Sequence, residues 1–239
     1  MANEHGEWIM YGVSENDPCC IKSTDKLLEY INKVGFLPLF KNEIPGFSVE
    51  EHTVSRYWWS GNAERDPWEW RGILARSGKV AYGKFFDKKA GFVSLEMLPY
   101  FCNYRRDGYD FDARWDDEKA TARQKKIMDL FMNGEALFSF EAKLLAGFVK
   151  GDEKNFEGVV TSLEMQSYLC VKDFRCRTNK YGEAYGWQIA IYSAPEAIWG
   201  YDLISSAYNE EPGQSLERII SKVGENFAAS REDILKIIK

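Results

Sequence analysis

The 239-residue chain carries 37 acidic and 31 basic side chains, for a net charge of −6, with 45% hydrophobic and 28% charged residues. That balance fits a soluble globular protein with ample core material and argues against a uniformly basic DNA-coating protein, though not against a local cationic stripe. No apolar run reaches the roughly 20 residues of a bilayer span, and "MANEHGEWIMYGVSE" lacks a basic region leading into an apolar stretch. Five cysteines without paired zinc-type spacing, and only His5 and His52, point to reduced thiols, a cytoplasmic setting and no metal centre.

In chain order, Thr24 begins a helical pattern with Leu27, Leu28, Ile31 and Val34 on one face and Gly35 at its close. A loop, "GFLPLFKNEIPGF", follows. Ser48 and Glu51 then have capping-box spacing and predict a further helix. Asp66 as cap, Pro67 in the first turn and Gly78 at the end delimit the next helix. "KVAYGKFF" and "AGFVS" predict two strands joined by "DKK". Ser94 is expected to cap a short helix that Pro99 bends or ends.

The acidic stretch "RRDGYDFDARWDDE" reads as a solvated linker and places a domain boundary at residue 118. It is no calcium loop, because its glycine and its oxygen ligands fall at the wrong steps. Beyond it come three helical segments: "TARQKKIMDLFMNG"; "SFEAKLLAGF", capped by Ser139; and "NFEGVVTSLEMQSYL", capped by Asn155. Two strands follow. Phe174 and Cys176 share one face of the first and Arg175 and Arg177 the other, while Tyr185, Trp187, Ile189 and Ile191 alternate in the second around "TNKYGE". Three helices and a hairpin give the order of a winged helix.

The expected fold class is therefore α+β, with tandem winged-helix units: a helix/hairpin/helix unit over 1–118, a winged helix over 119–200, and a helical tail over 201–239 with one helix near Leu216–Val223 and one capped by Ser230. Candidate phosphate contacts are Lys172, Arg175, Arg177 and Lys180 on the second hairpin, and Lys84, Lys88 and Lys89 on the first. From Arg71 to Gly91 six basic residues face one acid, interleaved with Trp70, Tyr82, Phe85 and Phe86, which suits either base stacking or a core beneath a wet face. No phosphate loop, nucleophile elbow or dinucleotide fingerprint is present, so no cofactor is implied. His52, beside Glu51, reads as structural.

The stretches "GFLPLFKNEIPGFSVEEHT", "DPWEWRG", "YGKFFDKKAGFVS" and "NFEGVVTSLEMQSYLCVKDFRCRTNKYGEAYGW" resemble the AlkZ-related bacterial proteins, distant relatives of the AlkZ/YcaQ winged-helix DNA glycosylases. The resemblance implies tandem winged helices, a DNA partner and a DNA-repair role. Glycosylases of that broader group use Gln-x-Gln or Gln-x-Asp to position water. The nearest match is Glu164-Met165-Gln166, which makes Glu164 and Gln166 the candidate catalytic pair and puts a glutamate where the group has glutamine. A glycosylase would also need an aromatic pocket for an extruded base, and Trp58, Trp59, Trp68 and Trp70 are its candidate lining. Two alternatives stay open: a transcriptional regulator dimerising through the C-terminal helices, and a protein-interaction module that never touches DNA.

Overall fold

The structure, a computed structural model, describes residues 10–149 and 153–238. His5 and most of the N-terminal stretch quoted above lie outside the described residues. Among the described residues no helix is long and apolar enough to cross a membrane.

The fold is α+β, and a similar element order occurs twice, with one more α-helix in the second half. In the first half α1 (Thr24–Val34) leads into the three-residue β1 (Phe36–Pro38), then α2 (Pro67–Ser77), β2 (Val80–Phe86) and β3 (Lys89–Ser94). All three strands are antiparallel in the order β1-β3-β2. After α3 (Leu98–Arg106) and α4 (Phe111–Asp116), the second half repeats the plan. Helix α5 (Ala122–Met128), β4 (Leu137–Phe138), α6 (Ser139–Leu145), α7 (Phe156–Met165), β5 (Cys170–Thr178) and β6 (Ala184–Ser193) give a sheet of order β4-β6-β5. The chain ends with α8 (Pro195–Trp199), α9 (Tyr201–Ile204), α10 (Pro212–Asn226) and α11 (Arg231–Ile237).

Local chemistry explains most boundaries. The Ser23 side chain accepts from Lys26 N–H at the start of α1, and Gly35, at φ 82°, closes it. Asp66 caps α2, Pro67 fits its first turn, and Gly78 ends it in the left-handed region. Thr121 and Gln124 form a capping box on α5, and Ser230 caps α11. The first hairpin turns on two residues, Asp87 and Lys88, both at positive φ, so Lys89 already belongs to β3. Gly91 is required where β1 and β2 close on β3: a Cβ there would stand 2.5 Å from the Phe86 ring and 2.7 Å from Pro38 Cα.

Several expectations need correction. The Ser48–Glu51 box does form, with Glu51 N–H donating to Ser48 Oγ at 3.2 Å, yet it closes only a single 3₁₀ turn, Glu50–His52. Pro99 sits in the first turn of α3 and neither bends nor ends it, because a proline there removes no intrahelical hydrogen bond. The acidic run is not all solvated linker: Asp110 caps α4, whose Phe111 is buried edge-on against Tyr168 at 5.3 Å. Ser139 is the first helical residue of α6 and not its cap; Phe138 holds the cap position, its N–H donating to Glu141 Oε2 at 3.0 Å. Asn155 adopts φ 66° and its side chain caps nothing on α7. Helix α5 stops at Met128, because the following residues form turns that bury Phe131.

The two halves interlock. Helix α2 packs against β5, α7 packs against β2, and β2 lies beside β5. One continuous core runs from Leu27 and Ile31 through the Phe36, Phe85, Phe86 and Phe101 rings to Leu163, Tyr168 and Cys170. Helix α10 seals α3, where Asn103 Nδ2 donates to Glu210 O and Ser215 Oγ, each at 3.0 Å. Arg106 is fully buried. Its Nη1 donates to Glu196 and to the Tyr208 hydroxyl, its Nη2 donates to Ser167 O at 2.6 Å, and its guanidinium lies over the Tyr168 ring. A charge withdrawn from water in this way persists only with its hydrogen bonds made, so Arg106 ties α3 to the β5 and α8 regions.

Candidate nucleic-acid interface

The β5–β6 hairpin begins in the core and ends beyond it. Cys170 and Val171 are buried, Arg175 and Arg177 are exposed, and from Tyr181 to Gln188 every residue is exposed. Asn179 shapes the tip, its Oδ1 accepting from the N–H groups of Tyr181 at 2.9 Å and Glu183 at 3.0 Å, with Gly182 at φ 82°. The strand alternation expected for Tyr185 and Trp187 does not carry them inward. Ile191 reaches the core and Ile189 half reaches it, whereas Trp187 is 92% exposed. The pairing register shifts between Arg175 and Arg177, opposite Gly186 at φ 76°.

Cations and aromatic rings interleave on this finger. Arg177 lies over the Phe140 ring at 4.3 Å, and the Lys180 ammonium is 4.9 Å from the Tyr181 ring. Arg177 pairs with Tyr185 across the strands, and Arg175 with Ile189. The sequence reading located the cations but missed Tyr181, Tyr185 and Trp187 as surface groups. The signal was present: the apolar positions of β6 extend further from the helical body than a single core can cover.

At the finger's base, Asp173 holds two arginines. Its Oδ1 accepts from Arg76 Nε at 2.7 Å and its Oδ2 from Arg175 Nε at 2.6 Å. Nearby, Arg71 is 4% exposed and sandwiched between the Trp68 and Phe174 rings at 3.8 and 3.9 Å, with Nε and Nη1 unpartnered. Burial lowers its proton affinity, against the pull of Tyr82, Glu69 and Asp66.

The first hairpin contributes differently. Lys88 and Lys89 are exposed at or beside its turn, and Lys88 N–H meets Met165 Sδ at 3.1 Å. Lys84 points back onto α7, its Nζ 3.1 Å from Thr161 Oγ1. Lys172 is exposed on β5. The seven cations therefore divide into Arg177 and Lys180 on the outer part of the second finger, Lys172 and Arg175 at its base, a pair at the first turn, and one lysine folded against a helix.

Glu164 lies inside the contact between the halves, 1% exposed. Its Oε1 accepts from Lys84 N–H at 3.2 Å, and its Oε2 has no partner. Burial pushes the carboxyl up to about 7, with Lys84 pulling partly back. Gln166 donates from Nε2 to Ser162 Oγ at 2.9 Å, while its Oε1 is buried and unpartnered. Trp58 and Trp70 are core residues, and Trp59 and Trp68 form a partly exposed aromatic pair with centroids 6.1 Å apart. An aromatic cavity of about 420 Å³ lies elsewhere, walled by Phe111, Phe131, Tyr168 and Tyr201 and edged by Asp110 and Glu196; neither Glu164 nor the four tryptophans line it.

A family model described as AlkZ related matches residues 21–239. The chain belongs to the AlkZ-related family. Among solved structures, the Streptomyces sahachiroi DNA glycosylase AlkZ is similar at 12% identity and a TM-score of 0.45, over 86% of this chain and 52% of that one. The chain thus spans about half the length of that structure. No curated protein matches the chain. Within this AlkZ-related chain, the Glu164-Met165-Gln166 stretch closes α7 at the contact with the first hairpin.

Proposed function

We propose that this AlkZ-related protein is a DNA-binding protein of repair type, built from two winged-helix units that share one core. The recurring order of helix, short strand, helices and hairpin, with the third strand central in each sheet, supports that architecture. The first unit falls within 1–118, the second within 119–200, and the helices beyond 200 form the tail.

The observation that carries the reading is the β5–β6 finger. In a protein of net charge −6 it presents Arg175, Arg177 and Lys180 with the exposed rings of Tyr181, Tyr185 and Trp187. Cations attract the phosphate backbone and exposed rings stack on unpaired bases, a pairing suited to distorted or flapped DNA. Lys88 and Lys89 supply a second cationic point, and Lys84 joins them only when released from Thr161. Fluorescence anisotropy with duplex and flapped DNA at low salt tests the reading. Salt-sensitive binding to both, tighter for the flap, is expected; no binding at low salt would eliminate it.

A glycosylase-like step is the second reading, favoured by the buried Glu164 carboxyl with its unpartnered Oε2 and near-neutral titration. It requires the contact between the halves to open, because the carboxyl is closed to a substrate base. Base release from alkylated DNA by the wild type, lost in Glu164→Gln and weakened in Gln166→Ala, supports it. Wild-type protein that binds DNA without releasing base leaves a binding protein. The regulator and the protein-only module lack such an observation. Helix α10, which the regulator would use to dimerise, already buries Ile219 and Val223 within the chain.

A further inference from the structure

We propose that the cleft at the base of the finger, between α2, β4–α6 and β5, is a phosphate site that seats one phosphate group of a nucleic-acid strand; this deepens the DNA-binding reading and rests on it. The cleft has a volume of about 470 Å³ and is lined by Arg76, Phe138, Glu141, Lys172, Asp173 and Arg175, among others. Its floor is a buried carboxylate: the Asp173 side chain is 3% exposed, and its two oxygens take the Nε edges of two arginines that come from different halves of the chain. Arg76 is fixed a second time, its Nη2 donating to Phe174 O at 3.3 Å. Asp173 is fixed as well, its Oδ1 accepting from Phe174 N–H at 2.7 Å.

Simple charge neutralisation does not account for this arrangement. One carboxylate balances one guanidinium, and here it holds two, with Lys172 exposed on the same wall. Glu141, whose Oε2 accepts from Phe138 N–H, is the second carboxylate of the cleft, so two carboxylates face the three cations Arg76, Arg175 and Lys172 and one positive charge is left over. Among the described residues neither Nη group of Arg175 nor the Lys172 ammonium has a hydrogen-bond partner. A carboxylate on the Nε edge fixes the plane of a guanidinium and leaves its outer N–H groups aligned for a tetrahedral oxyanion. Asp173 is thus a positioning residue, and Arg76, Arg175 and Lys172 are the groups that touch phosphate.

An internal phosphodiester and a terminal phosphate monoester share this chemistry, and the test separates them. Inorganic phosphate is titrated into isotope-labelled protein while the arginine Nε–H resonances are followed. In parallel, the salt dependence of duplex binding is measured for the wild type, Lys172→Ala, Arg76→Gln and the finger-tip variant Lys180→Ala, using duplex with and without a 5′-phosphate. The expected result is that phosphate, unlike chloride, shifts the Arg76 and Arg175 signals, and that Lys172→Ala and Arg76→Gln each flatten the salt dependence by about one phosphate contact. Tighter binding of the 5′-phosphorylated duplex that disappears in Arg76→Gln assigns the monoester; equal binding of the two duplexes assigns the internal diester. If phosphate moves neither signal and both cleft variants keep the wild-type slope while Lys180→Ala loses it, the cleft site is overturned and the DNA reading stands. If phosphate moves the signals but the wild type binds no DNA, the cleft holds phosphate, and both its nucleic-acid occupant and the DNA reading fall.

Discussion

Replacing Glu164 by glutamine removes a titration that the fold has displaced. The carboxyl is fully enclosed, with Lys84 N–H on one oxygen and nothing on the other, and burial raises it from an ordinary 4.5 to about 7. A rise of that size corresponds to about 3 kcal/mol between the protonation states. Because the native value lies above the unfolded one, the native state holds an extra proton between them. The stabilising contribution is therefore complete below pH 4.5, falls as pH rises, and is gone above about 7, where the native protein carries a buried charge. Glutamine keeps an acceptor for Lys84 N–H and cannot ionise. Urea unfolding followed by tryptophan fluorescence, repeated in steps from pH 4.5 to pH 8, reads both proteins, and the other acids cancel in the difference. Glu164→Gln should gain about 3 kcal/mol on the wild type across that window. A difference constant to about 0.5 kcal/mol would refute the reasoning, because it would mean that Glu164 is ionised and solvated throughout.

Arg106→Met leaves the Glu196 carboxylate and Ser167 O without their shared partner, and should cost about 3–5 kcal/mol by urea unfolding, the usual penalty for breaking a buried charge pair. Trp187→Ala should leave stability within about 0.5 kcal/mol, since the indole is exposed, but weaken single-stranded DNA binding by about 1–3 kcal/mol in an anisotropy titration. Unchanged binding there would remove the stacking role from the finger.

Chain-local chemistry was legible and chain-distant chemistry was not. Asp66 with Pro67, and Ser230, start helices through bonds to their own neighbours, so a short window of sequence exposes them, and the Ser23 and Thr121 caps, which the sequence reading passed over, are local in the same way. Strands β1 and β4 have three and two residues and exist only through pairing with β3 and β6, far along the chain, so no local periodicity marks them. At the site, the alternation that put Arg175 and Arg177 on one face of β5 was correct as to side and silent as to partner. The link between Arg76 and Asp173 spans 97 positions and follows from the packing of α2 on β5, which no single-chain pattern announces. Trp187 misled because alternation predicts a face and not whether a core waits beneath it. The resemblance of Glu164-Met165-Gln166 to a glycosylase motif singles out Glu164, but helical spacing gives no sign that β2 closes over it and buries it.

The most direct measurement is the slope of binding affinity against salt for flapped DNA, compared between the wild type and the triple variant Arg175→Ala, Arg177→Ala, Lys180→Ala. The finger account predicts a steep wild-type slope that loses two to three phosphate contacts in the variant, with the urea midpoint nearly kept. Equal slopes, or a wild-type protein indifferent to salt, would contradict it.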